Sequence, residues 1–585
     1  MSESPRPPHD RGRRDPLRAT LAAGRDTVEP SDWAGGLPQV GGTAPHVRFG
    51  RRWFNLLWLL PIGTVALVVG IAAAQELRTW EPVRDFIARW PGTDTSPQPD
   101  YHGFPTWLRW QHFFNLFFMM FIIRAGIQIL ADHPRLYWNR HCTPGTEWFR
   151  FQVPVPQDRL WTAKDDSVRL PGWLGIPGLR HSVGLARWWH FAFDTVWVVN
   201  GVIFYILLFA SGQWARIVPT SWDVFPNALS TAIQYLSLDL PANRGWIAYN
   251  GLQLLAYFFT VFVAAPLALL TGLMQSPAIA NRFRVAGRII NRQTARSIHY
   301  FVLVSMLGFI AMHTLMVWIT GLLGNLNHIT TGQDSDSWVG FVVYAAWMAV
   351  VVVAWMAATP LTLRHPRAVV RVARRVIGPF MGAMEHLDPR PGEYTEQDIS
   401  PRLWPNGRMP DSEAYEALAS NDFRDYRLRV DGLVANPVEL SLDDLRHLAF
   451  QEQITQHFCI QGWSGVAKWG GVPVRAVIDL VEPLPEARWV VFYSFAEGGD
   501  GGTYYDVHSI DGMRHALSLL AYDMNGEPLT VLHGAPLRLR NEVELGFKMV
   551  KWIEAIELVA DFAELGSGQG GYNEDHEFYA YRDPI

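Results

Sequence analysis

The chain has 585 residues, 50 Lys and Arg against 55 Asp and Glu, and a formal net charge of -5. That balance gives no reason to expect a nucleic-acid partner, and only two cysteines exclude a disulfide framework. Hydrophobic residues make up 49%, including 26 Trp and 32 Phe, but unevenly: an apolar half runs to about Ala358 and an ordinary soluble composition follows.

Residues 1–52 are read as a cytoplasmic segment without a fixed fold, carrying Arg11, Arg13, Arg14, Arg18, Arg25, Arg48, Arg51 and Arg52. The pair Arg13 and Arg14 is followed by an acidic, Gly- and Pro-containing stretch and not by an apolar run, which argues against an export signal. A membrane domain is expected over 53–360. Six apolar runs there are long enough to cross about 30 Å of hydrocarbon, which takes about 20 helical residues. They are Trp53 to Ala74, Trp107 to Leu130, Trp188 to Phe209, Tyr249 to Leu273, Ile298 to Leu323 and Val339 to Ala358.

Arg282, Arg284, Arg288, Arg292 and Arg296 precede the fifth run, and Arg364, Arg367, Arg371, Arg374 and Arg375 follow the sixth. The loop 131–187 is also basic, whereas 321–337 has no Lys or Arg and holds Asp334 and Asp336. The positive-inside rule therefore places both termini, and everything after the sixth run, in the cytoplasm of a bacterial-type inner membrane.

Four histidines sit in the runs. His299 and His313 are 14 residues apart on one helix, nearly four turns, so they share a face at a spacing of about 21 Å. With the topology above, His190 and His299 both lie toward the inner side, and His112 and His313 toward the outer side. Two pairs at two depths suit two stacked haems, although a lone membrane histidine is also a common interhelical hydrogen-bonding group. Asp194, one turn beyond His190, is read either as a proton-exchanging group for a quinone or as a solvated interfacial carboxylate. Arg124 is read as snorkelling toward the inner surface, and Cys142 as an ordinary loop thiol.

The segments WQHFFNLFFMMFIIRAGIQIL, RWWHFAFDTVWVVNGVIFYILL and SIHYFVLVSMLGFIAMHTLMVWI resemble the di-haem cytochrome b subunit of formate dehydrogenase, nickel-iron hydrogenase and thiosulfate reductase, over about 105–325. The resemblance implies b-type haems held by His112, His190, His299 and His313, and exchange of electrons with a membrane quinone.

A basic juxtamembrane run and a Pro-rich acidic stretch, 361–405, read as a linker. Beyond it, short β-rich runs such as YRLRV and RWVVFYSF alternate with helical or Gly/Pro segments, so 406–565 is expected to be an α+β domain and 566–585 an extended arm. Cys459 lies in QHFCIQGWSG, between short apolar strands, where a single thiolate suits a soft metal, or else a thiol is merely buried. Arg538, Lys548 and Lys551 lie near His533 and two Gly-containing turns, HGAP and ELGF with Gly546. This is a place for a phosphate, or a solvated basic edge.

The runs FRDYRLRVDGLVANPVELSLDDL, QHFCIQGWSG, LAYDMNGEPLTVLHGAPLRL and LGFKMVKWIEAIELV resemble the sulfite oxidase fold of molybdopterin enzymes, nearest its methionine sulfoxide reductase branch. The resemblance implies Cys459 as a molybdenum ligand, with Arg538 and Lys548 on the pterin phosphate and Asn406 and Ser494 as further pterin contacts. Sulfite oxidases place arginines directly after the cysteine; here CIQGWSG follows, so Trp463 and Trp469 suit a less charged or amphipathic substrate, or else are core packing. The expected fold class is multi-domain: an all-α six-span bundle followed by an α+β sulfite oxidase-like molybdopterin-binding domain. The expected function is oxygen-atom-transfer redox chemistry on a small molecule, coupled through two b haems to quinone. A cytochrome b with a non-catalytic docking domain remains the alternative.

Overall fold

The computed structural model describes residues 44–92, 103–151, 153–156, 160–178, 182–240, 246–283, 290–385, 392–499 and 501–582. Among them six helices are long and apolar enough to cross a membrane: α1 (Leu59–Leu77), α2 (Thr106–Asp132), α3 (Val183–Ala210), α4 (Gly251–Met274), α5 (Arg292–Ile319) and α6 (Trp338–Arg364). Large apolar side chains on these helices, such as Leu60, Val68, Ile206 and Val353, are more than half exposed, as side chains covered by acyl chains must be. α4 contains a π-helical turn over Phe259–Ala264.

Several helices run past the limits that apolarity sets. α5 begins at Arg292 where hydropathy predicts Ile298, α6 continues to Arg364 and α3 begins at Val183. Their polar ends stay helical because they are packed in protein. Asn291 caps α5, its side chain accepting hydrogen bonds from the amides of Gln293 and Thr294.

Two expectations need correction. The segment 1–52 is not without structure throughout: β1 (His46–Phe49) and β2 (Arg52–Asn55) form a hairpin. The hairpin joins β3 (Arg135–Leu136) and β4 (Phe149–Arg150) in a sheet of order β2-β1-β4-β3. The readings on 1–43, including Arg13 and Arg14, lie outside the described residues. The stretch 361–405 is not a plain linker either. Pro366–Glu385 forms a helix, α7, whose Arg374 guanidinium lies 5.5 Å from the Trp188 ring of α3.

Arg124 is also not snorkelling. It is fully buried, donating from Nε to Gly175 O at 3.0 Å and from its terminal nitrogens to Trp355 O and Gly172 O, each at 2.5 Å. It thus ties α2 to α6 and to the loop between α2 and α3, and carbonyl oxygens take the place of water around the charge.

The C-terminal domain is built on two sheets. One has the order β10 (Thr503–Ser509), β9 (Trp489–Glu497), β14 (Ile553–Val559), β5 (Leu428–Gly432), β6 (Val438–Leu440). The other has the order β12 (Glu527–Pro528), β11 (Ser518–Met524), β8 (Ser464–Pro473), β7 (Gln451–Phe458), with β13 (Arg538–Asn541) also on β11. Val430, Val472, Ile478, Leu520, Leu539 and Ile556 belong to one buried cluster that unites them. The domain docks on the side of the bundle where Arg135, Arg292, Arg296 and Arg367 lie, and the chain ends in an arm with a short helix, α8 (Tyr572–His576).

Candidate functional site

Cys459 follows β7 directly. Phe458 pairs with Ser464 to close the β7–β8 hairpin, Cys459 N donates to Trp463 O at 3.1 Å, and Gly462 N donates to Cys459 O at 3.1 Å. Gly462 has φ +104°, and a Cβ there would stand 3.3 Å from the Arg296 guanidinium carbon, so the turn needs glycine. The Cys459 thiol is 3% exposed and opens into a cavity of about 260 Å³. Asn406 Nδ2 and Gln461 Oε1 both lie 3.7 Å from its sulfur. Burial pushes the thiol up to about 12, so the bare group holds its proton and a soft cation must displace it.

One end of this cavity is cationic. Arg538, 4% exposed, donates to His533 O at 2.8 Å, lies 4.7 Å from the Trp469 ring, and has a buried Nε without a hydrogen-bond partner. Lys551 Nζ donates to the carbonyl oxygens of Asn406 and Leu532 and sits 3.9 Å from the Trp552 ring. Among the described residues neither forms an ion pair. Burial, then the neighbouring Arg540, pulls Arg538 well below the usual guanidinium value, and burial, then Arg538, does the same to Lys551. Burial followed by Arg538 brings His533 down to about 4. A buried guanidinium with an unpartnered Nε, beside a lysine held by carbonyls and with no carboxylate paired to either among the described residues, calls for an anion, and a phosphorylated pterin supplies one. Arg538, Lys551, His533, Asn406 and Gly546 all line the cavity, so the residues fit the cofactor.

Lys548 and Ser494 are not among the lining residues. Lys548, 1% exposed, is committed to Glu574 Oε1 at 2.6 Å and to Asp506, which explains why its side chain is not offered to a phosphate. The Ser494 hydroxyl donates to Lys551 O at 2.7 Å and accepts from Ala496 N at 3.0 Å, so it holds the lysine's backbone in place. Gly546 is a contact point: a Cβ there would stand 2.2 Å from His457 Cε1.

His508, 4% exposed, donates from Nε2 to Lys548 O at 2.9 Å and is neutral, its protonation opposed first by burial and then by Lys548. Its folded value lies well below 6.5, so the unfolded chain binds a proton first as pH falls, and the stabilisation from the neutral ring is lost below pH 6.5. Relative to His508→Asn, the native domain should lose up to about 1.4 kcal/mol per pH unit below that point, read from urea midpoints at pH 7 and pH 5.

Two of the membrane histidines come together. The His112 and His313 rings are 6.2 Å apart between centroids. Two metal–nitrogen bonds of about 2 Å plus two ring radii of about 1 Å span the same distance. His190 is among the groups that act electrostatically on His299. Nδ1 of His190 faces Ile122 O at 3.1 Å, Nδ1 of His299 faces Thr271 Oγ1 at 3.0 Å, and Nδ1 of His313 faces Tyr257 OH at 3.5 Å. Holding Nδ1 in this way orients Nε2 toward a metal. Two of the rings lie against glycines: a Cβ at Gly126 would be 3.2 Å from His190 Cε1, and one at Gly272 would be 3.6 Å from His299 Cε1. Asp194 Oδ2 stands 3.5 Å from His190 Nε2.

The two sites share a helix. The first turn of α5 grips the cysteine loop: Arg292 donates to Cys459 O at 3.1 Å, and Gln293 Nε2 donates to Gly462 O at 2.9 Å and to Ser464 Oγ at 3.2 Å. His299 lies two turns further along the same helix. Charge-counting had seen Arg292 and Arg296 only as topology markers; their seven- and three-residue spacing from His299 was the available signal. Cys142 is also more than a loop thiol. It is fully buried, has φ +48°, and its sulfur accepts from Ser464 N at 3.4 Å behind the cysteine loop. Asp132, Lys164, His457, Gln461 and Tyr579 line the cavity and were not anticipated, since nothing local marks a residue that folding carries there.

Comparison with known proteins matches each half. Residues 103–332 match the family model "Prokaryotic cytochrome b561", and residues 415–564 match "Oxidoreductase molybdopterin binding domain". The chain is 30% identical over 185 residues to YedZ1 of Azospira oryzae, named provisionally as a protein-methionine-sulfoxide reductase subunit, across 32% of this chain and 64% of that protein. It is 35% identical over 149 residues to the protein-methionine-sulfoxide reductase catalytic subunit MsrP of Xanthomonas axonopodis pv. citri, across 24% of this chain and 46% of MsrP. The sulfane dehydrogenase SoxCD of Paracoccus pantotrophus aligns at 24% identity with a TM-score of 0.22, over 24% of this chain and 39% of SoxCD. The chain thus spans between about half and two thirds of the curated relatives it matches. Half by half, the chain matches two family models, a cytochrome b561-type membrane domain and an oxidoreductase molybdopterin-binding domain, joined in one polypeptide.

Proposed function

We propose that the protein is a membrane-bound oxidoreductase that takes electrons from a membrane quinol through two b haems and uses them to reduce a sulfoxide-class oxide at a molybdenum centre. The observation that carries this reading is the grip of α5 on the cysteine loop. Arg292 and Gln293 hold the Cys459 turn, and the same helix carries His299 and His313. Such a helix gives a short, rigid route between the two centres, which a mere docking module would not require.

When bound through Cys459, the metal and its pterin supply the oxygen-atom transfer and its two electrons. The chain's residues do the rest. Arg538, Lys551 and His533 hold the pterin's anionic end, the Asn406 amide points at the ligand sulfur, and Trp463 and Trp404 keep water from the buried face. His112 and His313 hold the outer haem, and His190 and His299 the inner one. The reaction balances as sulfoxide plus two electrons and two protons giving sulfide and water. Its direction is taken from the names of the relatives, and the aromatic surroundings of Cys459 fit an uncharged substrate better than sulfite.

The domain docks on the arginine-rich side of the bundle, which by the positive-inside rule is the cytoplasm. Elemental analysis with haem quantification tests the core of the reading. One molybdenum and two haems per chain are expected, whereas haem without molybdenum supports the docking alternative. A C-terminal reporter active only outside the cytoplasm would overturn the topology.

A further inference from the structure

The wall of the metal cavity is not built by the molybdopterin domain alone. Asp132 comes from the end of α2, Lys164 from the loop after it, and Glu577, Phe578 and Tyr579 from the C-terminal arm, beyond the matched domain. Asp132 and Cys459 both act electrostatically on Tyr579, and Asp132 also acts on Cys459. The Tyr579 ring lies 4.7 Å from the Phe547 ring between centroids, and Tyr579 packs against the buried cluster that contains Cys459 and Trp463. The cavity around Cys459 is therefore lined both by the cationic cluster, fitted to the pterin, and by a wall that the helix end and the arm add.

The arm is fastened on both of its sides. Toward the domain, Glu574 pairs with Lys548 at 2.6 Å, Tyr505 OH donates to Asp575 Oδ2 at 2.6 Å, and Asn573 Nδ2 donates to Tyr504 OH at 2.6 Å. Toward the membrane helices, Ser182 Oγ donates to Glu577 O at 3.0 Å, Trp188 Nε1 donates to Phe578 O at 2.8 Å, and Arg367 donates to Glu574 O at 3.1 Å. A Cβ at Gly184 would stand 2.4 Å from Glu577 O, so helix α3 and the arm meet at backbone contact. Glu574, Asp575 and Phe578 are each 3% exposed or less. A segment held by so many buried hydrogen bonds is a wall and not a swinging lid.

We propose that this arm, through Phe578 and Tyr579, closes the substrate side of the metal cavity against macromolecules, so that the enzyme reduces small free sulfoxides and not oxidised methionine within a protein. The inference rests on the sulfoxide reading above and departs from what the names of the relatives say of those proteins. A methionine sulfoxide in a protein carries its main chain to the mouth of any site it enters, and here the end of α2, the start of α3 and the arm add fixed walls to the cavity. A free sulfoxide has no such encumbrance. It takes two electrons from a quinol through the haems and two protons, and leaves as sulfide while its oxygen leaves as water.

The test uses the purified, molybdenum-loaded full chain with reduced viologen as donor. Free methionine sulfoxide and dimethyl sulfoxide should turn over, and oxidised casein should show a kcat/KM lower by about 100-fold or more. Tyr579→Ala and Phe578→Ala should raise the casein-to-free ratio by about tenfold, with haem spectrum and molybdenum content unchanged as checks on folding. Independently of turnover, amide hydrogen exchange of 572–579 in the same holoenzyme should be slowed by about a thousandfold relative to free peptide. Wild-type reduction of oxidised casein at the rate of the free sulfoxide, or peptide-like exchange in the arm, overturns the proposal. If neither kind of sulfoxide is reduced while the arm stays protected, the sulfoxide reading fails and the closure of the cavity stands.

Discussion

Cys459→Ser should abolish molybdenum-dependent turnover while leaving the b-type haem spectrum unchanged. A serine oxygen is harder and far less acidic than the thiol it replaces, and it sits in a pocket that already resists ionisation of Cys459 itself. Substitution of a residue that only supports a metal ligand costs about 10- to 100-fold, and loss of the ligand itself should exceed that range. The backbone around the residue is fixed independently of its side chain. Cys459 O accepts from Arg292 and Gly462, and Cys459 N donates to Trp463 O. The substitution therefore removes the sulfur and little else. Metal content by elemental analysis should fall with activity, while haem stays at its wild-type stoichiometry. Retention of full activity in the serine variant would remove the basis of the metal assignment.

The second expected result separates the two halves of the wire. His299→Ala should reduce quinol-driven turnover by more than about 100-fold and halve the haem content. Turnover driven by a soluble low-potential donor that reaches the molybdopterin-binding domain directly should change little. The alanine leaves a gap beside Gly272 and Thr271, where the His299 ring stands in the native protein. His313→Ala should remove the other half of the haem spectrum, since its partner is His112 at 6.2 Å between rings. If His299→Ala and His313→Ala each removed all haem, or neither removed any, the assignment of pairs would fail. Equal loss of quinol-driven and donor-driven turnover in His299→Ala would show instead that the variant disturbs the cysteine loop through α5.

That last outcome is a real physical alternative because α5 serves both sites. Its membrane part was legible from hydropathy and from the 14-residue histidine spacing, which a helix converts into one face and two depths. Its first turn was not legible. Arg292, Gln293 and Arg296 are polar, so they end an apolar run, and in isolation they read as charges facing a headgroup region. They remain helical because Asn291 caps them and because Cys459 O, Gly462 O, His133 O and Arg135 O accept their hydrogen bonds. The same reason explains Arg124. A charge in an apolar helix predicts escape to water unless carbonyls from elsewhere in the fold replace that water, and the folded loop at 171–176 together with Trp355 O of α6 supplies them.

The candidate pterin site divides in a similar way. Arg538, Lys551 and His533 were visible as a basic cluster near two glycine turns, and the structure brings them together at one end of the cavity. Lys548 carried the same charge in the same stretch, yet Asp506 and Glu574 take it up, and Glu574 belongs to an arm that reads locally as an extended tail.

By itself the sequence determined the six spans, the two-domain order and the single face that His299 and His313 share on one helix, because each depends on composition or on spacing along one element. Tertiary structure alone decided which charges are used up, where the helices stop, and what walls the cavity around Cys459. Those outcomes depend on buried polar groups finding partners far away in the chain, from Ser182 to Glu577 and from Arg292 to Cys459. The cost of leaving such groups unpaired is what selects the partners, and no local pattern encodes it.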